Sequence, residues 1–188
     1  MEKLGIDYQQ AQALVEKNIS DPITKLHLRE SEAIMRSLAK KLNEDEEEWG
    51  IIGLLHDIDW DLTKNNTDEH CVGAIGILKE ANASEYLIET IISHCYGHGV
   101  YQDKERNSKV QYALASAETL TGLIVASALV QPDKKLKNVK LKSIKKKFRN
   151  NKFAANCDRE IISECEKLGL TVDDFLEIGL KSLQDISE

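Results

Sequence analysis

Six side chains have the types and spacing of a metal centre: His27, the His56-Asp57 doublet, His70, His94 and Glu118. Imidazole and carboxylate donors without thiolate suit iron, manganese, zinc, cobalt or magnesium. Each of these residues sits where helical periodicity places apolar neighbours. His27 shares a stripe with Ile23, Ile34 and Leu38, His70 with Ala74 and Ile77, and His94 with Leu87 and Ile91. Glu118 stands among Leu114, Gly122, Val125 and Leu129. A buried carboxylate must pair, take up a proton or meet a cation, because leaving it bare in an apolar stripe costs more than the helix recovers. One inward histidine is ordinarily a satisfied core residue, and one inward glutamate ordinarily meets an arginine. Recurrence on successive helices is what a shared metal centre explains at once.

The elements that must position these donors read as helices nearly throughout, with only 10 glycines and 2 prolines to interrupt them. Asp21-Pro22 is a helix start, a capping carboxylate followed by proline in the first turn, and Asn43 offers the stop. A second helix is expected from about Asp45 to the His56-Asp57 pair. Thr67 is expected to cap a third helix that carries His70, and Ser84 a fourth that carries His94 and breaks at Gly97 and Gly99. Ser108 opens a long fifth helix through Glu118, which ends near Pro132. Further helices are expected at about 139–148, 158–168 and 172–186, where Thr171 and Asp174 resemble a capping box. Nothing reads as a strand.

The four cysteines, Cys71, Cys95, Cys157 and Cys165, show no CxxC spacing and read as small core fillers. Cys71 and Cys95 each follow a candidate ligand, but neighbours on a helix point about 100° apart, so neither is required to face the metal. No apolar run reaches the roughly 18 residues of a membrane span, and the beginning of the chain lacks a signal-peptide layout. A cytoplasmic protein is expected. The net charge of −7 hides an asymmetry: residues 133–152 carry ten basic side chains and one acidic, in a chain that is otherwise acidic. A phosphate clamp and a nucleic-acid surface are both open to this segment, as is a solvated helix face. It lacks the interleaved aromatics of a base-stacking platform, Phe148 apart.

The order His27, His56-Asp57, Glu118 resembles the H…HD…D pattern of the HD phosphohydrolase superfamily. His70 and His94, in Glu69-His70-Cys71-Val72-Gly73-Ala74 and Ser93-His94-Cys95, are similar to the intervening histidines of its binuclear branches. Those branches include the HD-type diadenosine tetraphosphate hydrolases and, more distantly, the HD-GYP phosphodiesterases. The resemblance covers about residues 20–130, and Leu120-Thr121-Gly122-Leu123-Ile124 with the downstream lysine-rich runs is similar to a group of short bacterial HD proteins. It implies ligand roles for His27, His56, Asp57, His70, His94 and Glu118, with Asp57 bridging two metals, iron or manganese first and zinc, cobalt or magnesium open. The chain departs from the pattern twice. Glu118 stands where the superfamily has Asp, and Trp60 stands where many relatives have a lysine that approaches phosphate.

Two divalent ions about 3.5–4 Å apart can activate water and clamp phosphoryl oxygens. Asp59 and Asp61, just past the doublet, are candidates to accept a proton or to hold a histidine N–H, and otherwise form a solvated acidic helix end. Lys64, His98, Lys145 and Lys146 are candidate substrate contacts. The expectation is thus an all-α protein, a single HD domain over 1–188 with a core at about 20–130 made of five helices and a C-terminal helical extension at about 133–188. It is expected to hydrolyse a phosphate ester or anhydride in a small substrate, a nucleotide first, with no membrane partner. The rival readings are a non-catalytic HD module that senses a phosphorylated ligand, and a nucleic-acid-binding protein that uses segment 134–152.

Overall fold

The computed structural model describes residues 3–187, and among them no strand forms. Two 21-residue helices make the frame, α2 (Pro22–Leu42) and α7 (Lys109–Leu129). Helix α2 begins where Asp21 accepts backbone N–H bonds from Ile23 and Thr24, and it ends where Asn43 turns left-handed at φ 57°. Helix α3 (Glu46–Leu55) starts at Asp45, whose carboxylate caps Glu47 and Glu48 N–H at 2.9 Å each. Three glutamates in its first turn face the positive end of the helix dipole. From Trp49 to Leu55 every residue of α3 is buried, so it is the innermost helix. Its packing on α2 requires Gly53: a Cβ there would lie 2.9 Å from Ser31 O and 3.0 Å from the Glu32 backbone. That close approach delivers His56 and Asp57, at the end of α3, beside His27 on α2.

Between the doublet and α7 the chain is broken into short pieces: α4 (Trp60–Thr63), α5 (Val72–Glu80) and α6 (Glu85–Ile92), joined by 3-10 turns at Thr67–Glu69, Ser93–Cys95 and Gly99–Tyr101. The expected third and fourth helices are therefore shorter than the sequence pattern suggests. Thr67 caps no α-helix, and α5 starts only after Cys71, which adopts φ 71°. His70 and His94 lie in turns rather than on helix faces. Ser84 does cap α6, through Leu87 N–H at 3.1 Å.

Helix α7 is apolar on nearly every side, and thirteen of its residues are buried. By length and composition it could cross a membrane, a longer apolar stretch than expected, but 61% of that stretch is packed inside the molecule. The Leu114–Leu129 stripe proposed around Glu118 is only partly its core face: Leu114 is fully buried, but so are Ala117, Leu120, Leu123 and Ile124 off the stripe, whereas Leu129 is exposed. A similar correction applies to α2, where Ile34 and Leu38 are buried but Ile23 is 76% exposed. The C-terminal helices α8 (Leu141–Phe148), α9 (Arg159–Ser163) and α10 (Val172–Ile186) fall close to the expected spans, although 164–168 is 3-10 rather than α. They pack on α7, and α10 reaches α2, where Ser182 Oγ donates to Ser37 Oγ at 2.7 Å. At Thr171 half of the capping box forms, with Asp174 N–H bonded to Thr171 Oγ1. An N-terminal helix, α1 (Tyr8–Asn18), has a complete capping box between Asp7 and Gln10 that the sequence reading passed over.

Candidate metal centre

Four imidazoles converge on one carboxylate. Asp57 Oδ1 lies 3.0 Å from His70 Nε2, 3.3 Å from His94 Nε2 and 3.4 Å from His56 Nε2, while Oδ2 lies 3.6 Å from His27 Nε2. The Nε2 atoms also meet in pairs, His27 with His56 and His70 with His94, each at 3.1 Å.

Each ring is turned inward because its other nitrogen is held from outside. His56 Nδ1–H donates to Gly53 O at 2.9 Å and His94 Nδ1–H to Ile91 O at 2.6 Å. His27 Nδ1–H donates to Thr121 Oγ1 at 2.9 Å, and that hydroxyl donates to Glu118 O at 2.6 Å. His70 Nδ1 lies 3.1 Å from Asp59 Oδ1. Anchoring Nδ1–H leaves the Nε2 lone pair as the inward group, the tautomer a metal requires. Lone pairs facing each other at 3.1 Å repel unless a proton or a cation lies between them. The donor set therefore fits divalent ions.

The electrostatics divide along the same pairs. Burial pushes His56 down to about 3, against the pull of Asp57, so it stays neutral over the ordinary pH range. Burial would lower His70 as well, but the Asp57 and Asp59 carboxylates outweigh it and lift His70 to about 10. Burial would raise Asp57, and the imidazoles around it reverse this and hold it well below the usual carboxylate range.

Glu118 faces the same cavity from α7, half-buried, with Thr119 Oγ1 donating to its carboxylate. It stands outside the tight donor clusters. Burial raises its carboxyl, with His94, Thr119 and His27 opposing. Among the described residues every lysine or arginine ion pair is made elsewhere, so the arginine partner that would make Glu118 purely structural is missing.

The remaining candidates separate. Asp59 is fully buried behind His70; its Oδ2 accepts Ala74 N–H at 3.2 Å, and Gly73 allows the approach, since a Cβ there would sit 3.1 Å from Asp59 Cβ. It faces His70 Nδ1 as a charge partner at 3.1 Å and does not line the cavity. Asp61 turns away to Ser20 N–H and Oγ–H at 2.7 and 2.6 Å, and to Lys64 Nζ at 3.1 Å. Those bonds, led by the Ser20 hydroxyl, hold its carboxyl far below the usual range. Asp59, Asp61 and Lys64, expected beside the substrate, do not line the cavity, and their polar partners lie within the chain. His98 does line the cavity. Lys145 and Lys146 do not; Lys145 pairs with Asp173 at 2.9 Å on the outer face of α8. The amphipathic α8 buries Ile144; Lys142 and Lys146 are exposed, Lys145 pairs with Asp173, and Lys147 turns in to Ser127 O at 3.1 Å, none of them lining the cavity.

The cavity, of about 1010 Å³, is walled by Trp60, which stands at the position of the relatives' lysine, and by a loop that the sequence reading missed. Trp60 stacks edge-on against His70 with ring centroids 5.0 Å apart. The loop 149–158 contributes Asn151, Asn156 and Cys157. It is folded by Arg159, whose guanidinium donates to the carbonyls of Phe148, Phe153, Ala154 and Cys157. Arg106, also missed, donates to Ser93 O and Tyr96 O at 3.0 Å each and forms a two-pronged pair with Glu164 at 2.6 and 2.7 Å. It ties the His94 turn to the C-terminal region. Its signal was available, as one arginine in a polar loop before the longest apolar helix.

The largest correction concerns the cysteines. The sulfurs of Cys71 and Cys95 lie in bonding contact as a disulfide, their Cα atoms 6.8 Å apart, beside His94. The reading of both as core fillers assumed α-helical backbone, but Cys71 is left-handed and Cys95 ends a 3-10 turn.

Comparison with known proteins returns one family. A model described as HD domain matches residues 25–128, from the first turn of α2 to the last turn of α7. No curated protein and no solved structure matches the chain. The matched segment is more than half of the chain and contains every imidazole of the converging set together with Asp57 and Glu118, and the chain belongs to the HD domain family.

Proposed function

We propose that this chain is a metal-dependent phosphohydrolase that cleaves a phosphate ester or anhydride, with a nucleotide as substrate. The observation that carries this reading is the inward turn of four Nε2 atoms around Asp57, three of the rings fixed by a hydrogen bond at Nδ1 and His70 by the facing Asp59 carboxylate. His27, His56 and Asp57 would hold one divalent ion, and His70, His94 and Asp57 a second, with Glu118 as the further ligand. Bound ions would supply Lewis-acid activation of water and of the phosphoryl oxygens. The chain's own contribution is orientation: Thr121 holds His27, Asp59 holds His70, and Trp60 shields the His70 side of the site from water. The cavity suits a nucleotide in size, since ligand pockets run to about 1,000 Å³. Asn151, Asn156 and His98 offer polar contacts at its wall, and the one cation there among the described residues, Arg159, already commits its guanidinium to four backbone carbonyls, so phosphate charge would fall chiefly to the metals. Iron or manganese is the first choice of ion, as the resemblance to the HD superfamily implies, and the mixed imidazole and carboxylate set also suits zinc.

The test is elemental analysis of the purified chain, then a phosphate-release screen over nucleotides after reloading with manganese, iron or zinc. Metal-dependent release is expected. A second reading, a sensor that binds a phosphorylated ligand without turnover, is favoured by one observation: among the described residues no lysine lines the cavity. Ligand-induced thermal stabilisation with no turnover under any metal would decide for it.

A further inference from the structure

The disulfide pair and the two outer histidines form a four-donor cluster. His70, Cys71, His94 and Cys95 bring one ligand atom each to within 4.8 Å of one another. His94 Nε2 lies 3.6 Å from both sulfurs and 3.1 Å from His70 Nε2. A tetrahedral zinc ion, with Zn–S of about 2.3 Å and Zn–N of about 2.0–2.1 Å, holds nitrogen and sulfur ligands about 3.6 Å apart. The nitrogen–sulfur spacing found here is the spacing that ion needs, and breaking the S–S bond frees the sulfurs to part. Cys71 is held in place by a backbone conformation, φ 71°, that a side-chain-bearing residue rarely adopts. Strain of this kind concentrates at functional sites. Cys71 is fully buried, and Cys95 lines the cavity.

We propose that Cys71 and Cys95 are redox-gated metal ligands: reduced, they complete with His70 and His94 a Cys2His2 set for a thiophilic ion such as zinc; oxidised to the disulfide, they withdraw two of its four donors. The inference rests on the reading of His70 and His94 as ligands. It also changes the metal expected there, because thiolate selects zinc over manganese. When the reduced pair takes up the ion, each thiol loses its proton to solvent. Oxidation of the ligated pair forms one S–S bond and gives two electrons to a low-molecular-weight disulfide. That oxidant takes two protons from solvent and leaves as two thiols, while the ion departs with its charge unchanged. The half of the centre built from His27, His56 and Asp57 contains no sulfur and is untouched by this exchange.

The experiment titrates cobalt(II), a spectroscopic stand-in for zinc, into the full chain under two conditions: after phosphine reduction and after equilibration with glutathione disulfide. Reduced protein should bind about one equivalent more than oxidised protein and develop thiolate-to-cobalt charge-transfer absorption. The double variant Cys71→Ser/Cys95→Ser should lack that absorption and keep the remaining cobalt. Cys157→Ser, which removes the other thiol at the cavity, should behave as wild type. Cobalt bound without charge-transfer absorption in reduced wild type would overturn the proposal while leaving the metal centre intact. Equal cobalt uptake in both redox states would do the same. No cobalt bound by any variant would overturn the proposed function as well.

Discussion

The inner and outer halves of the centre are built in different ways. The inner half, His27 with His56, stands on α2 and at the end of α3, two helices with capped starts packed backbone-to-backbone at Gly53. Its supports are short-range or belong to the frame: a carbonyl three residues back for His56 and a hydroxyl on α7 for His27. The outer half, His70 with His94, stands on turns between short helices. It is held by a buried carboxylate, by a disulfide, and by an arginine that reaches into the C-terminal region. The difference teaches that a helix can carry a ligand by regular packing, whereas a turn must be tied in place by specific polar or covalent bonds. The inner half should therefore be robust, and the outer half should be where metal identity, pH and redox state are felt.

Asp57→Ala breaks both halves, since its carboxylate faces all four imidazoles. Metal-dependent phosphate release should fall to background and metal content should drop for both positions, as read by elemental analysis alongside the activity. A variant with near wild-type turnover would remove the carboxylate from the centre.

Arg106→Ala should unfasten the outer half alone. It strands Glu164 and frees the Ser93 and Tyr96 carbonyls, a loss of about 3 kcal/mol in stability for a largely buried pair. Denaturant unfolding measures the loss, and metal analysis should show one ion lost before the other. Equal loss of both would erase the distinction between the halves.

Glu118→Gln tests the carboxylate that faces the cavity from α7. Because burial raises the folded carboxyl above its ordinary 4.5, the contribution of Glu118 to stability is present below that pH and fades as pH rises through the raised value. Above it the charge opposes folding, so the glutamine variant without metal should be more stable than wild type at neutral pH and lose this advantage in acid. Metal affinity should fall. A less stable metal-free variant with full metal occupancy would show that the carboxylate serves structure instead.

The smallest effect belongs to the basic segment. Lys145→Ala/Lys146→Ala should leave KM and kcat unchanged and alter stability by no more than about 0.5 kcal/mol, as for other exposed substitutions. A raised KM would bring α8 back to the substrate and call for a closure of the cavity that the structure does not contain.

The sequence by itself determined most of the helices and the identity of the converging residues. Asp21-Pro22, Asn43, Asp45 and Ser84 are local signals, and local signals act through backbone groups only a few residues away. The order of histidines and carboxylates along the chain was enough for the family, because residue type and order survive whether a side chain stands on a helix or in a turn. Only the tertiary structure decided the rest. It put Asp59 behind His70 and turned Asp61 to Ser20, although both follow the same doublet. It chose the core face of α7, a helix so apolar that periodicity selects no side. It kept the lysines of α8 out of the cavity despite their number. It joined Cys71 to Cys95 across 24 residues, because the two turns that carry them are fixed by Asp59, Arg106 and the histidines rather than by any pattern of their own.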